Sequence, residues 1–255
     1  MYPELFTIGN LSVSSYAVMV FITFVIGYFV MLAEFKRKGL GENLNDLVFA
    51  TAIIGGIAGA KLIFLFQNAT LSEFLAEPGR FLASGLTSWG GLLTAIFLWF
   101  LITIWKKLSF WLVTDALSPA LILVYGIGRI SCFLAGDDYG TPSDLPWAIS
   151  FPDGSPPTTD RVHPTQIYDT LLMFLTFVFI WMIRKKKLPT GSIFAITLTI
   201  LAIERFFIEF IRNTSPSFIP GLSQAQLISI GVMIASIYKL IRLKFDPAKS
   251  SEVQA

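Results

Sequence analysis

Between Gly128 and Gly140 the chain reads GRISCFLAGDDYG. A long apolar run precedes this stretch, yet it holds Arg129, Cys132 and the adjacent acids Asp137 and Asp138. An Arg or Asp at bilayer depth costs about 2.5–3.5 kcal/mol on insertion scales, so charge there marks a pathway, a partner or a ligand. A second charged set is formed by Arg205, Glu209 and Arg212, whose i, i+4, i+7 spacing puts them on one helical face. Two guanidiniums with one carboxylate suit anion recognition, with the Glu orienting an Arg. A guanidinium fork binds phosphate through paired hydrogen bonds and stays charged when partly buried. A phosphate at the boundary of the hydrocarbon is most simply that of a phospholipid.

Each of these residues also has a plainer reading. Arg212 could snorkel to the interface while Arg205 and Glu209 form a structural ion pair. The anion-binding reading is preferred because Arg129, on another span, falls at a similar depth. His163, the only histidine, stands in RVHPTQIYD at the mouth of an apolar run, where Pro164 keeps it out of the following helix. It is either a reactive imidazole or a loop residue that packs and caps. Cys132, the only cysteine, could be a nucleophile with His163 as its base, but a lone buried thiol is more often a small inert hydrophobe. There is no phosphate-binding P-loop, dinucleotide fingerprint or zinc-ligand cluster, so neither a metal nor a cofactor is expected.

The elements that must carry these residues are membrane helices. Of 255 residues 54% are hydrophobic, with 24 Phe, and only 14% are charged, well outside the range of soluble domains. Apolar stretches of spanning length recur at about 13–33, 47–66, 86–105, 110–134, 167–183, 191–211 and 224–241. No Lys or Arg precedes the first, which argues against a cleavable signal peptide. Residues 74–85, broken by Pro78, Gly79 and Arg80, are too short to cross and read as interfacial or re-entrant. Residues 136–166 form the longest polar stretch, rich in proline and turn residues. Glycines 55, 56 and 59 in the second span suit close helix packing.

Charge sets the expected orientation. Of the 19 Lys and Arg, 13 fall at alternate span ends, among them Lys36, Arg37, Lys38, Lys106, Lys107 and the run from Arg184 to Lys187. Basic residues favour the cytoplasmic side. The expected protein is therefore an all-α polytopic membrane protein with seven transmembrane helices, the N-terminus outside and the C-terminus cytoplasmic. Residues 1–245 would form one membrane domain with 136–166 as a polar outer loop, and 246–255 a cytoplasmic polar tail.

Taken together these stretches resemble the bacterial prolipoprotein diacylglyceryl transferase family. GRISCFLAGDDYG is similar to its signature, Gly-Arg-x-Gly-Asn/Cys-Phe closing on Tyr/Trp-Gly. HPTQIYD resembles its His-Pro-Ser/Thr-Gln-Leu-Tyr-Glu motif, and RFFIEFIR with GLSQAQLIS resembles its Arg-Phe-x-x-Glu-Phe-x-Arg and Gly-Leu-Ser-x-x-Gln segments. Tyr16 and the GGLL stretch with Gly90 and Gly91 are also similar.

The resemblance implies a seven-span enzyme of the bacterial cytoplasmic (inner) membrane. It would move the diacylglyceryl group of phosphatidylglycerol onto the thiol of a lipobox cysteine in a preprolipoprotein, releasing glycerol phosphate. Its partners would be that lipid, the lipobox segment and membrane lipids, with no nucleic acid and no cofactor. Arg129 and Arg205 would hold the phosphate, Asp137 would fill the signature's acidic position and His163 would belong to the catalytic set. Gly140, Glu209, Arg212, Tyr16, Gly90 and Gly91 would support substrate binding.

The chain departs from that pattern at several points. Trp89 stands where much of the family has a His before the GGLL glycines, and Trp cannot accept a proton. Ser131 replaces a Gly, Cys132 a common Asn and Leu201 a Tyr; Asp137 and Asp169 are one methylene shorter than the usual Glu, and Lys61 replaces an Arg. Either His163 or Asp137 supplies the base, or the mechanism is altered, or the chain is a paralogue serving another acceptor or lipid. From a different class, a non-catalytic phospholipid-binding or transport protein would line a path with the same charges, though the internal repeats or paired broken helices common in transporters are not evident.

Overall fold

The structure, a computed structural model, describes residues 4–8, 11–68, 73, 76–77, 79, 85, 87–212, 217 and 219–245. Helices α1 (Ser15–Arg37), α2 (Glu42–Asn68), α3 (Ser88–Trp105), α4 (Phe110–Ala135), α5 (Thr165–Ile183), α6 (Ser192–Ile208) and α7 (Gln224–Phe245) coincide with the expected apolar stretches. Five of them, α1, α2, α4, α5 and α7, are long and apolar enough to cross a membrane, and α3 is a shorter apolar helix. α6 has 17 residues and carries Glu204 and Arg205 near its end. The 74–85 segment lies largely outside the described residues, and so does the 246–255 tail.

The architecture is helical, as expected, with one small addition. Two small antiparallel sheets accompany the helices: β1 (Glu4–Ile8) pairs with β2 (Leu11–Ser14), and β3 (Ile149–Phe151) pairs with β4 (Thr158–Val162). Both lie in short segments where hydropathy alone does not separate a strand from a loop. Ser14 closes the first hairpin and opens α1, its hydroxyl accepting the Ala17 N–H at 3.2 Å.

The chain divides into two compact units, Leu32–Ala116 and the remainder. Within Leu32–Ala116, α2 and α3 meet through glycines. A Cβ on Gly59 would run into the Thr94 side chain and lie 2.9 Å from the Gly90 carbonyl, and a Cβ on Gly91 would lie 2.7 Å from the Gly56 carbonyl. Helices this close gain dispersion contacts that lipid tails do not provide, so small residues do here what large apolar ones do in water. Trp99 adds a hydrogen bond from its indole N–H to the Val48 carbonyl at 3.1 Å. Buried Glu34 receives the Arg37 guanidinium through Nε at 3.0 Å and Nη2 at 2.6 Å.

In the other unit, Ile122, Met173, Ile180, Ile183 and Ile193 form a buried cluster among α4, α5 and α6, flanked by Tyr125, Phe177 and Leu201. Gly126 lets α5 approach α4, since a Cβ there would sit 2.9 Å from that of Met173. At the same level Thr170 donates to the Gly126 carbonyl at 3.1 Å. Thr199 of α6 donates to Ser236 of α7 at 2.8 Å. The segment joining α4 to α5 is folded: Phe151 is buried, stacked on Tyr139 at 5.3 Å and edge-on to Phe133 at 5.8 Å. Arg161 ties this segment together by donating to the Leu145, Pro146 and Ala148 carbonyls at 3.1–3.2 Å.

Overpacking the glycine seam tests this account of α2 and α3. Gly59→Val is expected to cost about 1–3 kcal/mol and to lower the thermal unfolding midpoint of the detergent-solubilised protein. Gly231→Ala on α7, where a Cβ meets nothing within 4 Å, does not lower that midpoint.

Candidate functional site

The site is built where the start of α5 meets the loop that follows α4. Pro164 stands directly before α5, so the first helical turn presents Thr165, Gln166 and Asp169, all completely buried. Thr165 donates through its hydroxyl to the Asp138 carbonyl at 2.8 Å, and Gln166 donates through Nε2 to the Asp137 carbonyl at 2.5 Å. The two residues therefore fix the loop backbone. Gly136 and Asp138 turn it, both with left-handed backbones at φ of 71° and 60°, a region Gly visits freely and Asp better than most residues.

Gly140 lets three segments converge. Its N–H donates to the His163 carbonyl at 2.9 Å, it bridges to Arg212, and the next residue, Thr141, donates its N–H to the Ile211 carbonyl at 2.8 Å. A Cβ on Gly140 would collide with that carbonyl and lie 2.8 Å from both the His163 Cβ and the Thr165 methyl. The physical requirement for glycine at this position is close backbone packing.

Asp169 points from α5 at Arg129 near the end of α4 and accepts its Nε–H at 2.6 Å. Arg129 is buried, and its Nη1 donates to Asp138 Oδ2 at 2.8 Å. Its Nη2 is buried with no hydrogen-bond partner among the described residues. The other oxygen of Asp138 pairs with Arg212 Nη2 at 2.8 Å, so one carboxylate bridges two guanidiniums. Burial pushes the Asp138 carboxyl upward, but Arg212 and Arg129 outweigh it and hold it below the usual Asp range. Asp137 moves the other way, raised by burial and by the charge of Asp138 against the lowering effect of the Cys132 thiol.

Arg205 pairs with Glu209 at 3.0 Å, as their spacing predicts. Arg212 does not continue that helical face. α6 ends at Ile208, Glu209–Ile211 tighten into a 3-10 turn, and Arg212 is extended at φ −101°, ψ 150°. It rejoins the charged set through Asp138 instead. Glu209 is buried and accepts the Ser223 hydroxyl at 2.8 Å. Ser223 and Gln226 form a reciprocal capping box at the start of α7, with the Gln226 N–H to Ser223 Oγ at 3.1 Å and the Ser223 N–H to Gln226 Oε1 at 2.9 Å. The Gly-Leu-Ser-x-x-Gln segment thus caps a helix and holds the carboxylate that pairs with Arg205.

The remaining expected residues fall into separate places. Tyr16, half-exposed at the start of α1, has Cys132, Asp137 and Asp138 among its electrostatic neighbours. His163 places its Nδ1 3.4 Å from the Tyr168 hydroxyl, which accepts the Trp147 indole N–H at 2.8 Å. It borders an apolar groove of about 600 Å³ lined by Leu145, Trp147, Ile149, Ile167, Tyr168 and Ile211. Gly90 and Gly91 belong to the α2–α3 seam, beside exposed Trp89. Cys132, Asp137 and Asp138 bring ligand atoms within 4.8 Å of one another, the geometry of a metal cluster, but both Asp138 oxygens are committed to guanidiniums.

Sequence reasoning named Asp138 and Asp169 without giving either a role in the site, and did not name Glu204. Glu204 is a buried acid on α6 in contact with Asp169. The signal for Glu204 was present: an acid inside a spanning stretch faces protein, not lipid.

Helices of this length and hydropathy, with a web of buried ion pairs at their ends, define a multi-pass membrane protein. The family profile described as Prolipoprotein diacylglyceryl transferase matches residues 3–242, and the chain belongs to that family. A Finegoldia magna protein named phosphatidylglycerol–prolipoprotein diacylglyceryl transferase is 33% identical over 253 residues, covering 97% of this chain and 98% of its own length. Proteins of the same name from Geobacter sulfurreducens (30% over 253 residues, 89% and 95% covered) and Vibrio cholerae (30% over 251 residues, 94% and 90%) are similarly related.

Ser223→Ala is expected to remove both the α7 cap and the Glu209 partner. The cap alone is worth about 1 kcal/mol, so the thermal midpoint falls, and Ser223→Thr, which keeps a hydroxyl, recovers most of the loss.

Proposed function

We propose that this chain transfers the diacylglyceryl group of phosphatidylglycerol to the thiol of a lipobox cysteine in a preprolipoprotein, the first step of lipoprotein maturation. The observation that carries this reading is the buried Arg129, held at Nε by Asp169 and with no partner for Nη2 among the described residues, in a chain of this family and joined to Arg212 through Asp138. In the reaction a carbon–sulfur bond forms at the glycerol carbon, the carbon–oxygen bond to phosphate breaks, and glycerol phosphate leaves. Charge builds on the leaving phosphate, so pre-positioned guanidiniums at Arg129 and Arg205, supported by Arg212 and Glu209, are the main catalytic device. The nucleophile belongs to the acceptor, so the enzyme needs no cysteine of its own.

The thiol proton requires an acceptor, since a free Cys titrates near 8.5 (roughly) and reacts as thiolate. Trp89 cannot serve. Asp137, raised by burial, stands in the loop after α4 with no partner for its Oδ1 among the described residues, and His163 lines the apolar groove. That buried oxygen, one residue from the Asp138 that pairs with Arg129, favours Asp137. Tyr16 and Gly140 complete the proposed substrate contacts of the unit that holds the arginines. A second reading, transfer to a different acceptor, is kept by Trp89 alone.

The proposed topology is seven spans in one membrane domain over residues 1–245. The N-terminus and the 136–166 loop lie outside, and the C-terminus and the 246–255 tail lie in the cytoplasm. The Lys and Arg distribution supports this orientation and placement in the bacterial inner membrane.

The test supplies labelled phosphatidylglycerol and a lipobox peptide to the purified protein. Lipidation is expected, with losses of at least a hundredfold in Arg129→Ala and Arg205→Ala, each removing an electrostatic contact worth roughly 2.7–4 kcal/mol. Asp137→Asn is expected to fall further than His163→Ala. No lipidation by the unaltered protein sinks the reading, and lipid consumption without peptide lipidation points to the other acceptor. Cys132→Ser retains most activity in the same assay, and near-complete inactivation would give that thiol a role it is denied here.

A further inference from the structure

Among the described residues, the carboxylate that contacts two of the site's guanidiniums is also its most exposed ionic partner. The Asp138 side chain is 49% exposed, whereas those of Arg129 and Arg212 are 7% and 10% exposed. Its oxygens are divided between the two cations, Oδ2 to Arg129 Nη1 and Oδ1 to Arg212 Nη2, each at 2.8 Å. A carboxylate and a phosphodiester offer guanidinium the same motif, two charged oxygens on one atom. We propose that Asp138 is an internal counter-anion seated in the phosphate subsite, and that the lipid phosphate binds by displacing its carboxylate from Arg129 and Arg212. This rests on the reading that these arginines receive the phosphate, and it assigns Asp138 a part in setting lipid affinity.

The surrounding geometry allows the exchange without unfolding the site. The Asp138 backbone is anchored by the Thr165 hydroxyl on its carbonyl at 2.8 Å and by the bridges of its neighbours, Asp137 to Ser155 and Gly140 to Arg212. Only the side chain has to move, and its exposed side gives it somewhere to go. Arg129 keeps its orientation meanwhile, because Asp169 grips Nε and not the outer nitrogens. Withdrawal of Asp138 frees Nη1, and Nη2 is already unpartnered, so the whole outer edge of the guanidinium faces the incoming phosphate.

The electrostatics favour exchange over a standing open site. Two unpaired guanidiniums at the edge of a bilayer are costly, and removing one partner of a buried pair is costlier than never having made it. Swapping anion for anion keeps the local charge nearly constant. The cost is affinity, because apparent binding is reduced by the fraction of molecules in which the subsite is open. Neutralising Asp138 should therefore tighten lipid binding, the opposite of what a merely structural ion-pair partner would do.

The experiment measures phosphatidylglycerol binding and steady-state kinetics for the full chain in nanodiscs of phosphatidylcholine with titrated phosphatidylglycerol. Asp138→Asn keeps the side-chain shape and removes the charge; Asp138→Ser is the second variant, and thermal melts check that both are folded. The expected result is a drop in apparent Kd and KM on the order of fivefold or more in both variants, with binding lost when Arg129→Gln is added to either. If Arg129→Gln and Arg212→Gln weaken binding but both Asp138 variants leave it unchanged or weaker, the counter-anion role is overturned and the phosphate clamp stands. If binding is indifferent to the arginine variants, the clamp and this inference fall together.

Discussion

A guanidinium buried near the end of an apolar helix is tolerated only if its charge is met within hydrogen-bond distance, and Arg129 is met first by Asp169. That contact, 2.6 Å long between two nearly inaccessible groups, is the constraint on which the rest depends. Removing either partner would strand a charge in low dielectric at a cost of about 3–5 kcal/mol. The start of α5 is accordingly placed by what its first turn must do. Thr165 and Gln166 hold the carbonyls of Asp138 and Asp137, and Asp169, four residues after Thr165 on the same face, holds Arg129. Two motifs far apart in sequence are the two halves of one polar junction.

The helices were legible because lipid demands apolar length, and the apolar stretches located α1 through α7, five of which are long and apolar enough to cross a membrane. The ion pair of Arg205 and Glu209 was legible for a similar reason, since helical spacing fixes who faces whom. What escaped were features set by breaks in periodicity. Arg212 was placed on the α6 face by counting residues, but the helix tightens at Glu209 and the chain turns extended, so the count no longer maps onto direction. The β1–β2 and β3–β4 hairpins are too short for alternation to stand out. Asp138 looked like half of an acidic pair, and nothing in a linear reading shows that one left-handed backbone position turns it between two arginines while Asp137 is raised by burial next to it.

Glycine illustrates the same division. In α2 and α3 its role follows from composition, because small residues let membrane helices touch, and Gly59 and Gly91 do that. At Gly140 composition is silent. The absence of a side chain there is required by His163, Thr165 and the Ile211 carbonyl, three groups brought together only by the tertiary fold. A signature glycine of this kind reports on the convergence of backbones around a site as much as on anything the site binds.

The capping box at Ser223 carries a further consequence. Its hydroxyl both starts α7 and completes the hydrogen bonding of Glu209, the carboxylate paired with Arg205. Chains emerge from the ribosome N-terminus first, so α7 becomes available to the folding protein only after α1 to α6. Until it is in place, Glu209 lacks its donor and the Arg205 arm of the charged web is incomplete. A chain truncated before α7, or stalled short of it, would hold Glu209 and Arg205 with part of their ionic wiring missing, so that wiring is finished only once α7 has been made.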